Sequence, residues 1–121
     1  MTDNEITHAL IGASIEVHKQ LGPGLLESAY GEVHGLILRN LQSERQKPIP
    51  IVYQQTKLEC GYRIDLLVES KIVVELKSVN GFAPIPEAIV LTYLRLSGHK
   101  LGLLINFNVT TLKEGIRRFI L

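Results

Sequence analysis

Tyr62-Arg63-Ile64-Asp65-Leu66-Leu67-Val68 and Ile72-Val73-Val74-Glu75-Leu76-Lys77, joined by Glu69-Ser70-Lys71, decide how this chain folds. Both runs are rich in aliphatic and β-branched residues and a short polar link separates them, so they predict a β-hairpin. Side chains alternate along a strand, which puts Val73, Glu75 and Lys77 on one face of the second run and Val74 and Leu76 on the other. Where Asp65 falls depends on register. A three-residue link sets it directly across from Glu75, whereas a two-residue turn sets it across from Val74 unless a bulge intervenes; we expect the wider link or a bulge. Charge in a central strand costs stability unless a partner or a metal compensates, so Asp65, Glu75 and Lys77 mark a place where something binds.

Two adjacent carboxylates on one face can hold a hard divalent cation such as Mg²⁺ through oxygen ligands, and a lysine two residues on can orient or deprotonate a water beside it. That constellation suits phosphodiester hydrolysis. The spacing Asp-x9-Glu-x-Lys also arises on exposed strand faces, so the aliphatic surroundings are what set it apart. Cys60, the only cysteine, reads as a packed or surface thiol.

Outward from the hairpin, helical periodicity governs the first third of the chain. Thr2 with Glu5 three positions later matches a capping box, and Ile6, Leu10, Ala13, Val17 and Leu21 recur at helical spacing, which predicts a helix over about residues 3 to 20. Gly22-Pro23-Gly24 stops it, and Leu26, Tyr30, Val33, Ile37 and Leu41 mark a second helix ending near Leu41. Residues 42 to 47 are polar, and Pro48 and Pro50 remove two ladder donors, so residues 49 to 55 are at best an edge strand. Beyond the hairpin, Asn80-Gly81 and Pro84 to Pro86 break the chain. Ala88, Leu91, Leu94 and Leu96 then occupy a helix that Gly98 terminates, and Leu101 to Phe107 form a buried strand. A crossover helix lets that strand run parallel to a hairpin strand. Thr110 or Thr111 can cap a last short helix with Leu112, Ile116, Phe119 and Ile120 as its apolar positions.

With 121 residues, 45% hydrophobic and 21% charged, the chain has the composition of an ordinary globular protein of one domain over residues 1–121. Its net charge of +1 supplies no global field to hold nucleic acid, so any such contact must be local. Two basic clusters could track a phosphate backbone or simply be solvated: Arg39, Arg45 and Lys47, and Lys113, Arg117 and Arg118. No apolar run approaches the roughly 20 residues of a membrane span. The polar N-terminus does not resemble a signal peptide, so a cytoplasmic location is expected and no membrane partner.

Val17-His18-Lys19-Gln20-Leu21-Gly22-Pro23-Gly24-Leu25-Leu26-Glu27-Ser28-Ala29-Tyr30 resembles the signature of the GxxExxY proteins, with Gly24, Glu27 and Tyr30 on the named positions. These proteins belong to the PD-(D/E)XK, restriction-endonuclease-like nuclease superfamily. The resemblance continues through residues 62–68, Val74-Glu75-Leu76-Lys77 and 101–107, and so covers nearly the whole chain. It implies an α/β fold with an αβββαβ core, a mixed central sheet flanked by helices, and extra N-terminal and C-terminal helices. It also implies that Glu27, Asp65, Glu75 and Lys77 form the catalytic set. Asp65 and Glu75 would bind Mg²⁺ or Mn²⁺ with help from Glu27 and the Leu76 backbone carbonyl. One departure is plain: where these proteins commonly carry Glu-Ala-Gln, this chain has Glu87-Ala88-Ile89, followed by Tyr93-Leu94.

Without the resemblance, Glu27 equally well serves to stabilise the first turn of its helix, and His18 sits near a helix C-terminus that favours it. Tyr30 lies on an apolar stripe and reads as packed between helix and sheet. His18, Tyr30, Arg63 and Tyr93 complete the candidates for substrate contact. His8, His34 and His99 share no metal spacing and read as surface or capping residues. The leading expectation is therefore a metal-dependent nuclease acting on nucleic acid, DNA in preference to RNA, for which a homodimer would extend a small gripping surface. The alternative is a catalytically inactive module of the same fold that binds nucleic acid or a protein.

Overall fold

In the computed structural model, which describes residues 1–37, 40–80 and 84–121 and only the backbone of 35–37 and 84–86, the chain opens with helix α1, Asp3–Leu21. The capping box forms as the sequence predicts: the Glu5 N–H donates to Thr2 Oγ1 at 3.1 Å and the Thr2 N–H to Glu5 Oε1 at 3.0 Å. Gly22 ends the helix at φ 72°, donating its N–H to the His18 carbonyl. Ile6, Leu10, Ala13 and Val17 form the buried stripe. Helix α2, Glu27–Ile37, is held by Tyr30. Its buried ring stacks on Phe107 with centroids 4.2 Å apart, while its hydroxyl donates to the Gly22 carbonyl and accepts the Leu25 N–H. One side chain thus fixes the turn between the helices to the core. The expected end near Leu41 is not reached: α2 is described as far as Ile37, residues 38–39 lie outside the described part, and Asn40 and Leu41 are not helical. Leu26, expected on the buried face, precedes the helix and is exposed.

Five strands, β1 (Ser43–Pro48), β4 (Arg63–Val68), β5 (Ile72–Lys77), β6 (Leu101–Asn106) and β7 (Ile116–Ile120), form one sheet in the order β1-β4-β5-β6-β7. A separate small hairpin joins β2 (Ile51–Tyr53) and β3 (Thr56–Leu58). Helix α3, Pro84–Ser97, carries the chain from β5 to β6, and these two strands are parallel, as a crossover connection requires. The other neighbours are antiparallel.

Two sequence expectations are corrected here. The first sheet strand is the polar segment Ser43–Pro48, not residues 49–55. An edge strand needs partners on one side only and tolerates charge and a terminal proline, so its polarity concealed it. The C-terminal helix is also absent: Leu112–Gly115 make a single 3-10 turn and Ile116–Ile120 extend as β7 against β6. Every residue of β6 is buried, so its second edge must find backbone partners, and the β-branched and aromatic Ile116, Phe119 and Ile120 suit a strand. Thr111 makes no side-chain cap that would have started a helix.

The sheet is covered on both faces. Leu66, Val68, Ile72, Val74, Leu76, Leu103 and Ile105 pack toward α1 and α2, while Leu67, Val73 and Leu104 pack against Val90 and Leu94 of α3. Leu91 and Leu96, expected inside, are exposed, because the stripe α3 buries runs through Val90 and Leu94 instead. None of the described helices is long and apolar enough to cross a membrane. Helix α3 lies so near β6 that a Cβ on Gly102 would stand 2.9 Å from Val90 Cγ1. Gly102→Ala should therefore lower stability by about 1–3 kcal/mol, read from the guanidinium midpoint; an unchanged midpoint would contradict this close approach.

Candidate active site

The β4–β5 pairing sets Val68 opposite Ile72, Leu67 opposite Val73 and Leu66 opposite Val74, so Glu69-Ser70-Lys71 is the three-residue link. The backbone pairing ends at Leu66 and Val74, and Asp65 and Glu75 are the next residue on each strand. At this point side chains take over from the ladder: the Leu76 N–H donates to Asp65 Oδ2 at 2.8 Å, and the Asp65 N–H points at Glu75 Oε1 at 3.5 Å. In a strand the N–H and C=O of one residue point the same way. The Leu76 carbonyl therefore faces the same gap as its N–H, whereas the Lys77 carbonyl faces β6 and accepts the Phe107 N–H at 2.8 Å.

Glu75 is only 4% exposed, Asp65 and Lys77 are half-buried, and the electrostatics follow. Burial first, then the neighbouring Asp65 carboxylate, push the Glu75 carboxyl up to about 8, against which Lys77 acts more weakly. Burial also raises Asp65, opposed by the Leu76 N–H, Lys77 and a hydrogen bond from Gln46. Glu27, the first residue of α2, is exposed, yet its charge disfavours ionisation of both acids. With Ser28, Gly31, Arg45, Gln46, Asp65 and Leu76 it lines a pocket of about 180 Å³. The structure thus brings together Asp65, Glu75, Lys77, the Leu76 backbone and, across the pocket, Glu27.

Gln46 escaped the sequence reading because it lies on a polar segment that does not read as a strand; its φ of 53° on β1 is what the pattern could not show. Arg45 also belongs to the pocket. Its guanidinium lies 3.1 Å from where a Cβ of Gly31 would be, so that glycine admits the charge. Of its basic cluster, Lys47 pairs with Glu44 at 3.1 Å, and Arg39 lies outside the described residues. Lys113, Arg117 and Arg118 belong to the opposite sheet edge, where Arg118 bonds Asn4.

Of the other candidates, only Tyr93 adjoins the acids. Burial and both carboxylates raise its hydroxyl, and its ring meets Tyr62 edge-on at 6.3 Å. Arg63 is exposed at the start of β4, opposite Pro48. His18 and Tyr30 make structural contacts here: His18 Nε2 lies 2.8 Å from the Val109 carbonyl and its ring faces Phe107, and Tyr30 is wholly buried. His34, expected at the surface, is wholly buried with Nε2 2.8 Å from Ser14 Oγ, and burial lowers it to about 4. Its position four residues after Tyr30 on the same helical face was the available signal.

Because Glu75 is raised, its neutral form suits the fold, and stability is lost as pH climbs from its ordinary value of 4.5 through about 8. Without divalent cations, the stability of the wild type relative to Glu75→Gln should fall by a few kcal/mol between pH 5 and pH 8, measured by guanidinium unfolding at several pH values. A constant difference would contradict the burial of this carboxyl.

The helices, the mixed sheet and the crossover form an α/β restriction-endonuclease-like fold. No curated protein and no solved structure matches the chain. A family model described as the PD-(D/E)XK nuclease superfamily matches residues 4–119 and so takes in α1, the hairpin with its acids and most of β7. The chain belongs to the PD-(D/E)XK nuclease superfamily.

Proposed function

We propose that residues 1–121 act as one nuclease domain that hydrolyses phosphodiester bonds of nucleic acid with a divalent cation. The observation that carries this reading is the opposition of Asp65 and Glu75 where the β4–β5 ladder parts, with the Leu76 carbonyl turned into the same gap and Lys77 two residues on. The donor set fits a hard cation, since all its atoms are oxygens and the buried acid pair is under-compensated by Lys77 alone. Among the described residues no three His, Cys, Asp or Glu side chains gather around one point, so in this reading Asp65 and Glu75 ligate directly and Glu27 assists. Two carboxylates and a carbonyl still suffice for Mg²⁺ or Mn²⁺, which retain several waters.

When bound, the cation would act as a Lewis acid on the phosphoryl group. Asp65 and Glu75 would hold it, and the Leu76 N–H keeps Asp65 turned into the gap. Lys77, on the Glu75 face of β5, would align the attacking water and stabilise charge developing on the phosphate. Glu27 would assist from across the pocket, and Arg45 beside it would take a phosphate of the strand. DNA is favoured over RNA as the substrate, a cytoplasmic location over others, and a homodimer would widen the grip on a strand.

Ile89 favours a second reading, an inactive module binding nucleic acid or a protein, because an apolar side chain stands where related proteins carry glutamine. The test is cleavage of linear and nicked DNA, single strands and RNA in Mn²⁺ by wild type and by Lys77→Ala prepared identically. The variant should lose at least a hundredfold in rate. Mn²⁺ at about a hundred times its dissociation constant should stabilise the wild type by about 2.7 kcal/mol, an effect lost in Asp65→Ala and Glu75→Asn. Absence of both cleavage and metal stabilisation would select the inactive module.

A further inference from the structure

Beside the acid pair lies a second concavity that the hydrolytic chemistry does not use. It measures about 350 Å³ and is walled by Ile51 of β2, by Tyr62, and by Ile89, Tyr93 and Leu96 of α3. That volume falls within the range of small-ligand sites, about 300–1,000 Å³. The walls are apolar or aromatic apart from Thr92. Tyr62 is 46% exposed and Leu96 is exposed too, so the cleft is open to a ligand, and the Tyr62 and Tyr93 rings stand at 63° to each other.

Position gives the cleft its meaning. Tyr93 joins the two sites: its ring forms one wall of the cleft and packs on the cluster of Val73, Val90 and Leu94, on the face of β5 that also carries Glu75. A ligand seated across the two sites must carry an anionic group for the cation held by the acids and, a few ångströms away, a flat apolar-faced ring. A nucleotide has that construction. In an intact duplex the ring is stacked and paired inside the helix, so only a single strand or a frayed end can present it. Aromatic faces bind unpaired bases with little regard to sequence, since every base has a π-face.

Resting on the proposed nuclease reading, we infer that the Tyr62–Ile89–Tyr93 cleft is a subsite for an unpaired nucleobase, and that the substrate is a single strand or a frayed end rather than an intact duplex. Ile89 belongs to this design. An apolar side chain in the wall lies flat against a base, where an amide would have only the hydroxyls of Thr92 and the two tyrosines to replace its hydration.

The test is fluorescence anisotropy in Ca²⁺ with four probes: a twelve-residue oligodeoxyuridine, the matching oligouridine, an abasic strand of the same length and a blunt duplex. The wild type should bind a base-bearing strand about tenfold or more tighter than the abasic strand and the duplex. The tighter of the two base-bearing strands identifies the sugar. Tyr62→Ala should reduce the preference to the abasic level while Tyr62→Phe keeps it; Tyr62 is exposed enough that both variants fold, which circular dichroism checks. Equal binding of abasic and base-bearing strands, a preference for duplex, or a preference that survives Tyr62→Ala would overturn the inference. So would sedimentation showing a dimer that Tyr62→Ala dissociates, since a second copy would then fill the cleft. Hydrolysis in Mn²⁺, scored separately, distinguishes the two claims. Base preference without cleavage sinks the nuclease reading and leaves the subsite, and cleavage indifferent to bases does the reverse.

Discussion

The hydrogen bond from the Leu76 N–H to Asp65 Oδ2, 2.8 Å long, is the contact on which the arrangement of the site depends. Up to Leu66 and Val74 the two central strands are joined backbone to backbone, and one residue further a carboxylate accepts the donor instead. Had the ladder continued, the polar groups of Leu76 would have been spent on β4 and the gap would have closed. Because a side chain intervenes, the strands part enough to leave two carboxylates and a carbonyl facing one small space. A half-buried carboxylate that accepts the Leu76 N–H and a Gln46 bond still has lone pairs to spare, and those are what a hard cation requires.

This arrangement is costly to the fold. Glu75 stands among aliphatic residues with a second carboxylate opposite, and Lys77 offsets only part of the penalty, as the displacement of the Glu75 carboxyl to about 8 shows. Two dry clusters on the sheet faces absorb the cost: α1 and α2 over Leu66, Val74 and Leu76, and α3 over Val73 and Leu104. Strain of this kind concentrates at places where something binds, and the rest of the structure must over-determine the geometry for it to persist.

Much of this was legible in the sequence, and the reasons differ from element to element. The capping box, the Gly22 stop, the hairpin and the parallel crossover rest on local chemistry or on period-two alternation, and each formed as read. Ser43–Pro48 and Ile116–Ile120 were misread because both are edge strands whose pairing is decided by the needs of β4 and β6, not by their own composition. The opposition of Asp65 and Glu75 could be narrowed only to two registers, since the number of residues in a turn is not written in their identities. Gln46 and Arg45 reach the pocket from one of those edge strands, so the misreading of the strand hid them too. His34 was misjudged by residue type, when its spacing from Tyr30 already placed it inside.

The C-terminal end of β5 explains why the candidate residues are held firmly despite lying where the pairing ends. On one flank Asp65 takes over from the β4 backbone. On the other, Asn106, wholly buried and paired with Lys77, takes over from β6: its amide oxygen accepts the N–H groups of Val79 and Asn108 at 3.1 Å, and its amide nitrogen donates to the Val79 carbonyl at 2.8 Å. The Phe107 N–H adds a bond to the Lys77 carbonyl, and Phe107 carries the stacked Tyr30 ring that fixes the turn leading to Glu27. The two polar side chains do the same backbone work with different consequences. Asn106 is neutral and its amide is engaged by the chain it holds, so it is a structural latch. Asp65 carries a half-buried carboxyl that burial raises, so the same manner of ending a strand leaves it with acceptor capacity beyond the Leu76 N–H and Gln46.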